Sequence, residues 1–303
     1  MAVSRAQAVV NGVTISLKYD SNSKKWTGSG SAPSTSSYTK GGYYNVKLTA
    51  WDEAGNSTIV DATHTTLGSA LKLVVKELTA PVVTITYPGA SARITSNKPA
   101  ITWTVTDNDS GVNTSTIGIQ IDSGTKVTGT AITKEAITGG YKCTYTPGTA
   151  LNDGSHTIKV DASDNDGNAA TQKSVTFIID TVPPTLNITS PADGLKTNNS
   201  ALTVSGTTND STSSPVTLTI KLNSGNAEAI TVGTNGAFSK ALTLAQGDNT
   251  ITLTARDQAG KTTTITRKVT LDTTAPVFSD IVITPNPVSV GAGFTVSVTI
   301  TDA

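Results

Sequence analysis

The chain has 303 residues, enough for two to four domains. Lysine plus arginine and aspartate plus glutamate are both 22, a formal net charge of zero, which argues against a nucleic-acid partner because phosphate-tracking surfaces need clustered cations to displace counterions. Only 15% of residues are charged and 36% hydrophobic, with Thr, Ser, Asn and Gly between short β-branched runs, so the composition is that of β-sheet and excludes a helical fold.

The opening stretch, MAVSRAQAVVNGVTISLKYD, has neither a basic segment followed by an apolar one nor a small-residue cleavage site, so no secretory signal is read there. Strands are expected at 13–20 (VTISLKYD) and 24–31 (KKWTGSGS). They lead into a hairpin that the chain writes three times: YNVKLTAWDEAGN at 44–56, HTIKVDASDNDGN at 156–168 and NTITLTARDQAGK at 249–261. In each copy apolar and polar residues alternate up to Ala50, Ala162 or Ala255, which puts Val46 and Leu48, Ile158 and Val160, or Ile251 and Leu253 on one face of a strand. Each then breaks into Asp-x-x-Gly. Asp52, Asp164 and Asp257 can bond their own backbone two residues on, and Gly55, Gly167 and Gly260 supply the positive φ of a tight turn. From Ala50 to Ala162 is 112 residues and from Ala162 to Ala255 is 93, so the repeating unit is a small domain and not a solenoid turn.

After the first hairpin, Leu71, Leu73 and Val75 alternate, and residues 66–78 are expected as a return strand in preference to a short helix. Thr79-Ala80-Pro81, Val182-Pro183-Pro184 and Thr274-Ala275-Pro276 punctuate the chain. Proline fixes φ and removes a donor, so no sheet should run through these points. They divide the sequence into domains at 1–78, 79–182 and 183–274, with the first strands of a further one at 275–303. Behind the junctions come alternating strands such as Ile101, Trp103, Val105 and Val296, Val298, Ile300, then a third set at Ile117, Ile119, Ile121 and at Val216, Leu218, Ile220. About seven short antiparallel strands per repeat are the immunoglobulin-like sandwich pattern. Cys143 is the single cysteine, which rules out an intrachain disulfide, and it is expected as a buried inert thiol beside Tyr141 and Tyr145. No apolar run approaches the ~20 residues of a membrane-spanning helix.

Residues 79–275 resemble the bacterial immunoglobulin-like repeats found in surface adhesins and phage virion proteins. The Asp-x-x-Gly-Asn hairpins and the Asp-Thr-x-x-Pro junctions at Asp180–Pro184 and Asp272–Pro276 carry the likeness. It implies an all-β fold, tandem immunoglobulin-like β-sandwich domains in a string. The first domain is expected to depart from the family by beginning at the third strand, and residues 276–303 to hold only the first two strands. A fourth domain continuing further is the expected account; the alternative is self-association, with strands like 276–303 completing a sheet like 1–78 of a neighbouring chain.

Chemistry has little to work with. His64 and His156 stand far from any serine signature or metal-spaced cluster, His156 is expected to be solvated, and an enzyme is not expected. The candidate site is a calcium ion between domains. In such a sandwich the loop after the second strand and the last hairpin share one end, which would gather Asp107, Asp109, Asp164 and Asp166 where Glu77 arrives from the first domain. Turn chemistry alone also accounts for these loops. Asp210 with Asp257 near Asp180 forms a thinner set. Trp103 should be core. Trp51, on the opposite face from Ala50, is expected to pack at the edge of the core; the alternative is that it stacks on a sugar or a partner chain. With no other cofactor and no membrane insertion expected, the reading is a non-enzymatic structural and adhesive protein. The family's phage members imply a tail, baseplate or fibre-associated virion protein whose partners are other virion proteins and host-surface glycans; the alternative is a segment of a cell-surface adhesin or stalk.

Overall fold

The structure, a computed structural model, describes residues 2–302. It falls into two compact units, one running to Ala92 and resuming at Asn97–Ile179, the other made of Arg93–Ser96 and the chain from Asp180 onward. Strands dominate both, as the β-branched composition requires. No strand runs through Pro81, Pro183, Pro184 or Pro276.

The first unit begins with a six-stranded antiparallel sheet in the order Lys25–Thr27, Val13–Asp20, Val3–Val10, Tyr44–Asp52, Ser57–Val60, with Lys72–Leu73 paired to one end of Tyr44–Asp52. The central strand Val3–Val10 was not among the expected ones. Its signal was the Asn11-Gly12 pair, which adopts φ of 45° and 80° and closes a two-residue hairpin of the kind Asn-Gly favours. Residues 66–78 depart from the expected return strand. Gly68–Leu71 form a 3-10 turn, only Lys72–Leu73 join the sheet, and the Val75 backbone is taken by Ser37 instead. Register places Ala6, Ala8 and Val10 beside Leu17, Ile15 and Val13 on one side and Ala50, Leu48 and Val46 on the other, giving one apolar face. A loop crosses part of it so closely that a Cβ on Gly30 would lie 2.6 Å from Ile15 Cδ1. The rest of the face, between Leu17, Trp26, Leu48 and Val60, stays open as a groove of 310 Å³.

The remainder of this unit is a two-layered sandwich. One layer carries Val112–Ile121, Gly154–Asp164 and Lys173–Ile179 in that order; the other is Thr133–Ile137, Gly140–Tyr145, Ile101–Thr106, Val82–Tyr87. Ile101, Trp103, Val105, Ile117, Ile119, Cys143, Ile158, Val160, Phe177 and Ile179 are all fully buried between them. Each fully buried aliphatic stabilises the fold by about 1.5–3 kcal/mol relative to exposure, and the alternation read from sequence is what aims them inward.

The second unit repeats the arrangement. Thr185–Ser190, Ala201–Asn209 and Ala237–Thr243 face a five-stranded sheet ordered Leu195–Thr197, Thr262–Leu271, Gly247–Arg256, Thr217–Leu222, Glu228–Ile230. Leu186, Val204, Leu218, Phe238, Ile251, Leu253 and Val269 form the core. Gly206 is required there: a Cβ would fall 2.0 Å from the Asn187 carbonyl oxygen and 2.7 Å from the Phe238 ring. Val277–Thr284 and Thr295–Thr301 make a two-stranded ribbon whose Phe278, Ile281 and Val296 remain exposed.

Candidate functional site

The three hairpins end alike, and their turns fix the acids that follow. Asp52 Oδ1 accepts from Ala54 N and Asn56 N at 2.9 and 2.8 Å, while its Oδ2 accepts from Asn56 Nδ2 at 2.8 Å. Asp164 accepts from Asn168 N at 2.7 Å and from Asn168 Nδ2 at 2.6 Å. Asp257 Oδ1 accepts from Lys261 N at 2.9 Å. The bond two residues on is therefore seen at Asp52, but the contact shared by all three reaches four residues on. It spans the glycines, whose φ values are 89°, 98° and 90°. The Asn56 amide holds the Asp52 carboxyl below its usual range, and the backbone N–H groups of the turn add to this against a smaller desolvation effect.

Of the five acids expected to gather between the first sheet and the sandwich that follows, the structure brings three together. One carboxylate oxygen each from Glu77, Asp107 and Asp164 lie within 4.8 Å of one another. Each acid is also anchored by backbone donors or an amide: Glu77 Oε1 accepts from Ser110 N at 2.7 Å, and Asp107 Oδ1 from Asp109 N and Gly111 N at 3.1 and 2.7 Å. Asp109 and Asp166 stand outside the group. Asp109 Oδ1 accepts from Ser36 N at 2.8 Å and Asp166 Oδ2 from Glu77 N at 3.0 Å, so both tie the loops to segments flanking the first sheet. Asp164 is buried, and next to Asp109 the Ser110 hydroxyl is buried with no hydrogen-bond partner among the described residues. An all-oxygen set of this kind could hold a hard divalent cation. In the next sandwich Asp180, Asp210 and Asp257 occupy the corresponding loops and also converge within 4.8 Å.

The remaining candidates have structural partners. His156 is not solvated as expected: its side chain is 11% exposed, with Nδ1 2.8 Å from Asp122 Oδ2, Nε2 2.8 Å from the Asn152 carbonyl oxygen, and the ring 5.9 Å from that of Phe177. Burial works to lower its pKa, but the two acceptors, one on each ring nitrogen, outweigh that and raise it. His64 Nδ1 accepts from Leu67 N at 3.2 Å and caps a turn. Cys143 lies against the sandwich core, where burial pushes its thiol up to about 11, far from a reactive thiolate. The Arg5 guanidinium sits 4.0 Å over the Trp51 ring, so one stacking face of that tryptophan is already occupied.

Family models match the two sandwiches one by one. Residues 86–181 match the family described as a bacterial Ig-like domain, and residues 184–273 match domain B of glucodextranase. Bacillopeptidase F of Bacillus subtilis (strain 168) is 30% identical over 139 residues, which is 46% of this chain, and the chain spans 9% of that protein's length. Among solved structures, the fibronectin(III)-like modules of Clostridium thermocellum CbhA align over 63% of this chain and 94% of theirs at 18% identity and a TM-score of 0.35. A 3Ig structure of titin domains aligns over 88% of this chain and 87% of its own at 10% identity and a TM-score of 0.44. The resemblance drawn from the hairpins and junctions holds for residues 86–181, the stretch that matches a bacterial Ig-like domain.

Proposed function

We propose that the chain is a non-enzymatic structural and adhesive protein of a phage or phage-like particle, part of its tail, baseplate or fibre. In this reading the first sheet docks onto other virion proteins. The sandwiches that follow act as spacers and as weak binders of host-surface glycans, with multivalency across copies making up for weak single contacts. The observation that carries the reading is the first sheet itself. Its face is apolar yet left with an open groove of 310 Å³ at Leu17, Trp26, Leu48 and Val60, whereas the sandwiches bury theirs. An uncovered apolar face of this kind is what a permanent contact in an assembly requires. Glu77, Asp107 and Asp164 serve as a calcium-binding joint behind that sheet, with the buried Ser110 hydroxyl, unpartnered among the described residues, in the loop of Asp107.

The matches to a bacterial Ig-like domain and to part of Bacillopeptidase F favour a second setting, in which the same domains are non-catalytic modules of a bacterial surface protein such as an adhesin or stalk. Cross-linking mass spectrometry of particles from the natural source separates the two. Links from Lys18 and Lys25, on strands that border the groove, to other particle proteins are the expected result. Links that reach only envelope components would move the chain to the cell surface.

A further inference from the structure

Asp180, Asp210 and Asp257 are 0%, 7% and 5% exposed, far more enclosed as a group than acids normally are, and one oxygen of each lies within 4.8 Å of the others. Backbone donors hold one oxygen of each in place. Val182 N donates to Asp180 Oδ1 at 3.3 Å, Thr212 N and Ser213 N to Asp210 Oδ1 at 2.8 and 2.6 Å, and Lys261 N to Asp257 Oδ1 at 2.9 Å. Among the described residues, the second oxygens of Asp180 and Asp257 are buried with no hydrogen-bond partner, and so is the hydroxyl of the fully buried Ser213. Ser213 is fixed between the two loops: its N–H bonds Asp210 and its carbonyl accepts from Gln258 N at 3.1 Å. No ion pair among the described residues reaches any of the three acids.

The sequence accounts for the bare oxygen on Asp257. Asn56 and Asn168 end the first two hairpins and give their side-chain amides to Asp52 and Asp164. Lys261 stands at that place in the third, and a lysine side chain has no amide to give. Three enclosed carboxylates with oxygens within 4.8 Å of one another, two of them with an unpaired oxygen, are unfavourable unless a cation sits among them.

We propose that Asp180, Asp210 and Asp257, together with the Ser213 hydroxyl, bind a calcium ion inside the unit that begins at Asp180. The donors are all oxygen, which selects a hard cation. Their origin in three separate loops suits calcium, which takes six to eight oxygens in irregular geometry, better than magnesium, which demands a near-ideal octahedron and keeps its water. This site is distinct from the Glu77, Asp107 and Asp164 group and does not depend on what the chain docks to.

The test is hydrogen exchange read by mass spectrometry on the full chain, stripped with a chelator and then titrated with calcium. Peptides covering residues 206–215 and 254–263 are expected to gain protection saturably, by about tenfold or more. Asp210→Asn should abolish that gain while peptides covering residues 105–111 respond as in the unsubstituted chain. Asp257→Asn guards against simple misfolding: without calcium it removes one charge from the cluster, so it should be at least as protected as the calcium-free parent. No calcium response in these peptides, a response that survives both substitutions together, lost protection in calcium-free Asp257→Asn, or an equal response to magnesium would each overturn the proposal.

Discussion

Replacing Asn168 by alanine and Asn56 by alanine makes the same change in two copies of one hairpin, and the structure predicts unequal costs. Asn168 Nδ2 donates at 2.6 Å to Asp164 Oδ2, and Asp164 is 1% exposed. Without the amide a buried carboxylate oxygen loses its donor where water has little access. A buried acceptor left unsatisfied costs about 1–3 kcal/mol, so we expect about 2 kcal/mol, or roughly a thirtyfold rise in the local opening equilibrium. Asn168 also reaches the Glu77 carbonyl oxygen at 3.2 Å, which the alanine loses as well. Asn56 bonds Asp52 with similar geometry, but that hairpin is solvated, water takes the place of the amide, and opening should change little. Because a chain of several domains does not unfold in one step, hydrogen exchange of peptides spanning residues 156–170 and 44–58 is the suitable assay. Equal losses at the two hairpins, or a larger loss at Asn56, would refute the argument that burial sets the value of this bond.

Gly206→Ala should destabilise the sandwich from Thr185 to Leu271 severely, because its Cβ would meet the rigid Asn187 backbone at 2.0 Å; calorimetry should show one transition lowered and the other unchanged. Trp103→Ala should cost about 3–5 kcal/mol by opening a cavity in a fully buried site, whereas Trp103→Phe should cost much less, since it also removes an indole N–H that has no partner; denaturant melts compare the two. His156 has its folded-state pKa raised, so its contribution to stability is complete below the unfolded value of about 6.5 and is lost as pH rises through the folded value. Asp122→Asn should lower that folded pKa and flatten the loss, as read by titrating the histidine ring signals.

Much of the fold was legible because a period of two, sustained over six residues or more, has one physical meaning: one face of a strand is buried. Ile101, Trp103 and Val105 show it, all at 0% exposure. Val3–Val10 escaped because its residues do not alternate cleanly, although Asn11-Gly12 marked the hairpin it belongs to. Residues 66–78 misled because alternation alone does not say which partner takes the backbone, and Ser37 rather than a strand takes that of Val75. At the candidate site, loop identity was enough to place Glu77, Asp107 and Asp164 together. It could not show that Asp109 and Asp166 turn to Ser36 and Glu77, since donors 73 and 89 residues away decide that. At the Asp180 group the exchange of the hairpin asparagine for Lys261 is visible in the sequence, but its effect depends on burial that only the packed structure supplies.

The central claim, that this chain is a structural and adhesive component of a particle, is tested most directly by locating it in its natural source. Quantitative mass spectrometry should be run on density-purified particles and on washed cell envelopes from the same culture. The account predicts enrichment in particles at a fixed ratio to the other tail proteins. Enrichment in envelopes, with none above background in particles, would contradict it and leave a cell-surface protein in its place.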